Sequence, residues 1–82
     1  MTRKPAEVFP PSDFIKEEMD ARGWSREALA EKMGSTLSLL DEVLSGKHKV
    51  NVMVAYMLSQ AFGTSAQLWI GLQKSYDERL RR

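Results

Sequence analysis

Four glycines, Gly23, Gly34, Gly46 and Gly63, cut this chain into short pieces, and each follows a run patterned for a helix. Helices of this length are marginal in isolation and must be held by their neighbours. The chain contains no cysteine, so neither a disulfide nor a thiolate metal site can staple the pieces, and packing has to do it. At 82 residues, 43% hydrophobic and 28% charged, the composition is that of one ordinary globular domain with one modest core. No window shows the strict alternation of a strand. The expected fold class is therefore all-α, with residues 1–10 as a flexible N-terminal arm and residues 11–82 as the domain.

Five helices are expected. Pro10-Pro11 closes the arm, because proline disfavours helix in the residue before it. The first helix spans about Ser12 to Arg22, with Ser12 as its cap, Asp13 at the positive end of the helix dipole, and Phe14, Ile15 and Met19 on one face. Ser25 caps the second, with Trp24 and Leu29 at hydrophobic-staple spacing and Leu29, Ala30 and Met33 turned inward. The third runs from Leu37 to Ser45 behind Thr36 or Ser35. Asn51 caps the fourth, which ends at Gly63. Thr64, with Gln67 three residues on, has the spacing of a capping box for the fifth. That last helix carries Leu68, Trp69, Leu72, Tyr76 and Leu80 at three- and four-residue steps.

The most informative group is Ala30, Gly34, Leu40 and Val43. A small Ala30 lets the third helix cross closely over the second. Gly34 permits a backbone turn that a Cβ would hinder. Leu40 and Val43 lie three apart and share one face. Together they describe two helices joined by a tight turn at a steep angle. A generic helical hairpin and a DNA-reading unit both satisfy that pattern.

From Phe14-Ile15-Lys16-Glu17-Glu18 through Gly23-Trp24-Ser25 the chain resembles the lambda-repressor-like helix-turn-helix superfamily. The stretch Gly63-Thr64-Ser65-Ala66-Gln67-Leu68-Trp69-Ile70-Gly71-Leu72-Gln73, followed by Tyr76-Asp77, resembles more narrowly the C-terminal motif of HigA-type (VapI-like) antitoxins. The resemblance covers about Pro11 to Leu80. It implies a five-helix DNA-binding domain, a homodimer on double-stranded operator DNA, repression of the protein's own operon, and a cognate toxin that cleaves messenger RNA. It also implies that part of the fifth-helix stripe, Trp69, Leu72, Tyr76 and Leu80, serves as the dimer contact, with Trp69 belonging first to the core.

Under that resemblance the third helix is the reader, and here the chain departs from the usual pattern. Winding the helix at 100° per residue turns Leu39, Leu40, Val43 and Leu44 inward, leaves Leu37 at the border, and faces Ser38, Asp41, Glu42 and Ser45 outward. The strong major-groove contacts are Arg to guanine and Asn or Gln to adenine, and none of those side chains is on this helix. Asp41 or Glu42 accepting from a cytosine amino group, Ser38 on several bases and Leu37 on a thymine methyl remain. Phosphate contacts are expected from Arg26 at the start of the second helix, from Lys47 and Lys49 after the third, and from Asn51. The candidate DNA-contacting set is thus Arg26, Thr36, Leu37, Ser38, Asp41, Lys47, Lys49 and Asn51. A net charge of +1 argues neither for nor against a polyanion.

A second reading keeps the scaffold but makes it a protein-interaction module with weak or lost DNA binding. It rests on the acidic outer face of the third helix and on Met53, Tyr56 and Met57, apolar residues beyond what one core face of the fourth helix needs. Catalysis is not expected. The chain has one histidine, His48, its adjacent acid pairs diverge on a helix, and it has no phosphate-cradling glycine loop. No cofactor and no metal are expected. No apolar run approaches a membrane span and no signal-peptide core follows Met1, so the expectation is a cytoplasmic protein with no membrane partner.

Overall fold

A computed structural model describes residues 9–80. Among them are five helices and no strand: α1 (Pro11–Arg22), α2 (Arg26–Met33), α3 (Leu37–Ser45), α4 (Val52–Phe62) and α5 (Ala66–Leu80). Most of the arm, and the terminal Arg81 and Arg82, lie outside the described residues.

The local signals explain the boundaries. Ser25, Thr36 and Asn51 each accept a hydrogen bond from the backbone N–H three residues on, which satisfies an orphan donor at the starts of α2, α3 and α4. Gly34 ends α2 at φ 71°, a conformation in which a Cβ would crowd its own backbone. Its N–H donates to Glu31 and that of Ser35 to Ala30, so the last carbonyls of α2 are satisfied while the chain reverses into α3.

Two expected caps are corrected. Ser12 does not cap α1: Pro10 holds that position without a side-chain bond, Pro11 opens the helix, and Ser12 is buried in its first turn. A proline at the first helical position loses only an N–H that would be unpaired anyway. At α5 it is Ser65 whose hydroxyl accepts from Leu68 N–H. Thr64 instead accepts from the indole N–H of Trp69 at 2.8 Å, and so satisfies the polar edge of a ring that is 1% exposed.

The core gathers Ile15 and Met19 of α1, Leu29, Ala30 and Met33 of α2, Leu40 and Val43 of α3, Val50, Val54, Ala55, Leu58 and Phe62 around α4, and Trp69 of α5. Helix α4 packs on α5 and α2, α3 packs on α1 and α2, and α1 also meets α5. Phe62 lies between the two tryptophans, stacked on Trp24 at a centroid distance of 5.5 Å and tilted against Trp69 at 5.8 Å. Arg22 closes this stack: its guanidinium lies over the Trp24 and Phe62 rings and donates to the Phe62 carbonyl.

Leu40 is fully buried and Val52 is 72% exposed. Leu40→Ala is expected to lower unfolding free energy by about 2–5 kcal/mol, and Val52→Ala to change it by less than about 0.5 kcal/mol. Urea unfolding followed by circular dichroism measures both.

Candidate nucleic-acid interface

Only one side of α3 is committed to the core. Leu40 and Val43 are buried, Leu37, Leu39 and Leu44 are half-buried, and Ser38, Glu42 and Ser45 are exposed. The winding is followed in outline, with Leu39, Leu44 and Asp41 half-buried at the borders of the two faces. Thr36, at the start of this helix, spends its oxygen on the Leu39 N–H at 3.1 Å and keeps its own O–H to donate. The turn through Gly34 and Ser35 thus sets α3 across α2 with Ser38, Asp41, Glu42 and Ser45 facing away from the core.

Electrostatics reorganises the expected contact set. Arg26, the first residue of α2, forms an ion pair with Asp41, which stands on the outer side of α3. The hydrogen bond from Arg26 to Asp41, and then the charge of Asp41, raise the guanidinium pKa above its ordinary value, so Arg26 is cationic at any working pH. Lys49 does not stand free beside α3: its Nζ lies 3.4 Å from Asp77 Oδ1 on α5. Lys47 is exposed and, among the described residues, has no carboxylate within ion-pairing distance.

The loop carrying Lys47 and Lys49 is tied down at several points. His48 N–H donates to the Glu42 carbonyl at 3.1 Å, and its Nδ1 bonds the Lys49 carbonyl at 2.8 Å. Val50 N–H donates to Gln73 Oε1 at 2.9 Å, and Gln73 Nε2 donates to Asp77 at 3.0 Å. Asn51 Oδ1 caps α4 at 2.9 Å, leaving its side-chain NH₂ to donate elsewhere. The loop after α3 is thus anchored on α5 through Val50 and Gln73.

The fifth-helix residues separate by depth. Trp69 is enclosed in the core, Leu72 and Tyr76 are half-buried, and Leu80 is exposed. Tyr76 and Leu80 border a cleft of about 370 Å³ between the start of α1, the α3–α4 loop and α5. Val52, Met53 and Tyr56 are exposed on α4, whereas Met57 packs against the core. Among the described residues no group of three or more potential metal ligands occurs, and no helix is long and apolar enough to cross a membrane.

Sequence reasoning did not find the pairs Arg26–Asp41, Lys49–Asp77 and Val50–Gln73. Their members are far apart in the chain and belong to different elements, so no periodicity links them. Charge gave the only hint, and for Arg26 and Asp41 alone, a base and an acid on the two helices that the hairpin brings together.

A helix-turn-helix family model matches residues 15–69. Virulence-associated protein A' of Dichelobacter nodosus is 32% identical over 68 residues, which are 82% of this chain; the chain spans 59% of that relative's length. A Nostoc punctiforme protein, assigned as an antidote of a plasmid maintenance system, superposes with a TM-score of 0.85 at 25% identity, covering 93% of this chain and 84% of its own. Pseudomonas aeruginosa antitoxin HigA, solved with the higBA promoter, superposes at 0.84 over 92% of this chain and 83% of its own, with 22% identity; at that identity the likeness is one of fold.

The loop anchor is open to test. Gln73→Leu leaves the Val50 N–H without its acceptor, and amide hydrogen exchange at Val50 is expected to become roughly tenfold faster or more, with the core helices unchanged.

Proposed function

The chain belongs to the helix-turn-helix family, and from that premise we propose that it is a dimeric DNA-binding repressor of the antitoxin type. The observation that carries this reading is the disposition of α3, held from behind by Leu40 and Val43 with its opposite face in solvent. A helix so mounted can enter a major groove, whose width admits an α-helix. The antitoxin with its promoter and the antidote protein of similar architecture support the same assignment.

In this reading two copies present their α3 helices to successive major-groove faces about one helical turn apart. Thr36, Leu37 and Ser38 lie at the base edges. Lys47 is the principal phosphate group, because Lys49 is shared with Asp77 and Asn51 offers a neutral donor. These contacts fix position rather than sequence. Leu72, Tyr76 and Leu80 of α5 form the contact between copies, with Trp69 as the rigid support behind them. Binding to its own operator then shuts down the operon, and a toxin that cleaves messenger RNA is the partner that the antitoxin neutralises.

The exposed Val52, Met53 and Tyr56 favour a second reading, an interaction module in which DNA contact is weak and α4 meets a protein. Charge separates the two readings. If DNA binding is intact, neutral residues in place of Asp41 and Glu42 alter sequence preference. If DNA binding has been lost, they create an affinity that was absent. Selection of bound sequences from a random duplex pool tests the repressor reading directly, and a chain that enriches nothing contradicts it.

Lys47→Ala is expected to weaken binding to all duplexes alike and to reduce the slope of log affinity against log salt by about 1; titrations at several salt concentrations measure this. Leu80→Glu places a charge in the α5 contact and is expected to raise the dimer dissociation constant by about tenfold or more. Sedimentation equilibrium reads that change.

A further inference from the structure

Arg26 and Asp41 belong to different helices, and their side chains meet outside the core. Arg26 Nη1 donates to Asp41 Oδ1, and the two side chains keep 49% and 45% of their exposure. Half-exposed ion pairs contribute little to stability, so the consequence of this one is geometrical. Asp41 stands on the outer face of α3 beside Ser38, Glu42 and Ser45, and the pair therefore holds the Arg26 guanidinium against that face. Helix α3 has no arginine, lysine, asparagine or glutamine of its own. A guanidinium offers five N–H donors in a planar fork, and the bond to Asp41 occupies one of them. The charge of Asp41, which would otherwise repel a duplex, is at the same time offset by Arg26.

We infer that Arg26, a residue of α2, supplies this protein's strongest base contact by bidentate donation to a guanine edge, and that Asp41 is a positioning residue that holds the guanidinium for it. The inference rests on the reading of α3 as the element that enters the major groove. It moves Arg26 from phosphate to base and Asp41 from base to Arg26. Arginine paired with guanine O6 and N7 is the commonest specific contact in that groove, and an acidic neighbour that fixes the fork lowers the conformational cost of making it.

The test uses the full chain. The duplex pool is selected first with the unaltered protein, and the selected duplex and its single-pair variants are then titrated with Arg26→Ala, Arg26→Lys, Asp41→Ala and the double alanine variant, each checked by circular dichroism for unchanged helix content. Selection is expected to enrich a guanine in each half-site. Arg26→Ala and Asp41→Ala should each lose discrimination at that base pair by about tenfold, with the double variant losing no more than either alone. Arg26→Lys should not restore it, because lysine keeps the charge and lacks the fork. Equal weakening on every duplex with Arg26→Ala would place Arg26 on phosphate and overturn the inference. So would losses that add in the double variant, or an Asp41→Ala protein that binds all duplexes more tightly, as simple like-charge repulsion requires. If the unaltered chain enriches no sequence, the repressor reading itself falls, and the inference falls with it.

Discussion

The proposed function depends on α3 being held from one side only. Leu40 and Val43 enter a core built by α1, α2, α4 and α5, while the opposite side of the same helix stays in water. A helix of nine residues has too little intrinsic stability to hold a shape alone. Its order is lent to it by burial, by the Thr36 cap and by the turn at Gly34. Further back, the Trp24–Phe62–Trp69 stack joins the α1–α2 turn to the end of α4 and to α5.

Charge is distributed as carefully as apolar surface. Two of the chain's candidate phosphate groups already share acids, Arg26 with Asp41 and Lys49 with Asp77. These pairs work in two ways. They diminish the cation available to phosphate, and they remove the repulsion that the acids alone would exert. Under the proposed function, such an arrangement gains less from sequence-independent attraction and leans more on donors that face bases.

The elements of the fold were legible in the sequence because their signals are local. Ser25, Thr36 and Asn51 cap within three residues, the glycine stops act on their own backbone, and Leu40 and Val43 declare the inner face of α3 by spacing alone. At two helix starts the local cap rule named the wrong residue. Thr64 was drawn from capping to the Trp69 indole and Ser65 took its place; Ser12 gave way to the Pro10-Pro11 start. The inward and outward faces of the candidate site were legible for the same reason. Its electrostatics was not. Whether Arg26 stands alone or against Asp41 depends on the crossing of two helices, and Lys49 meets Asp77 only because the loop after α3 folds back onto α5.

Under the proposed function, the outer face of α3 and the loop following it form the surface that meets DNA. Amide chemical-shift changes on titrating the isotope-labelled chain with a palindromic duplex carrying its selected half-sites locate that surface. The largest changes are expected over Thr36–Asp41 and Lys47–Asn51, with the start of α2 included and the exposed end of α4 unaffected. Changes centred on Val52, Met53 and Tyr56, with α3 silent, would contradict it.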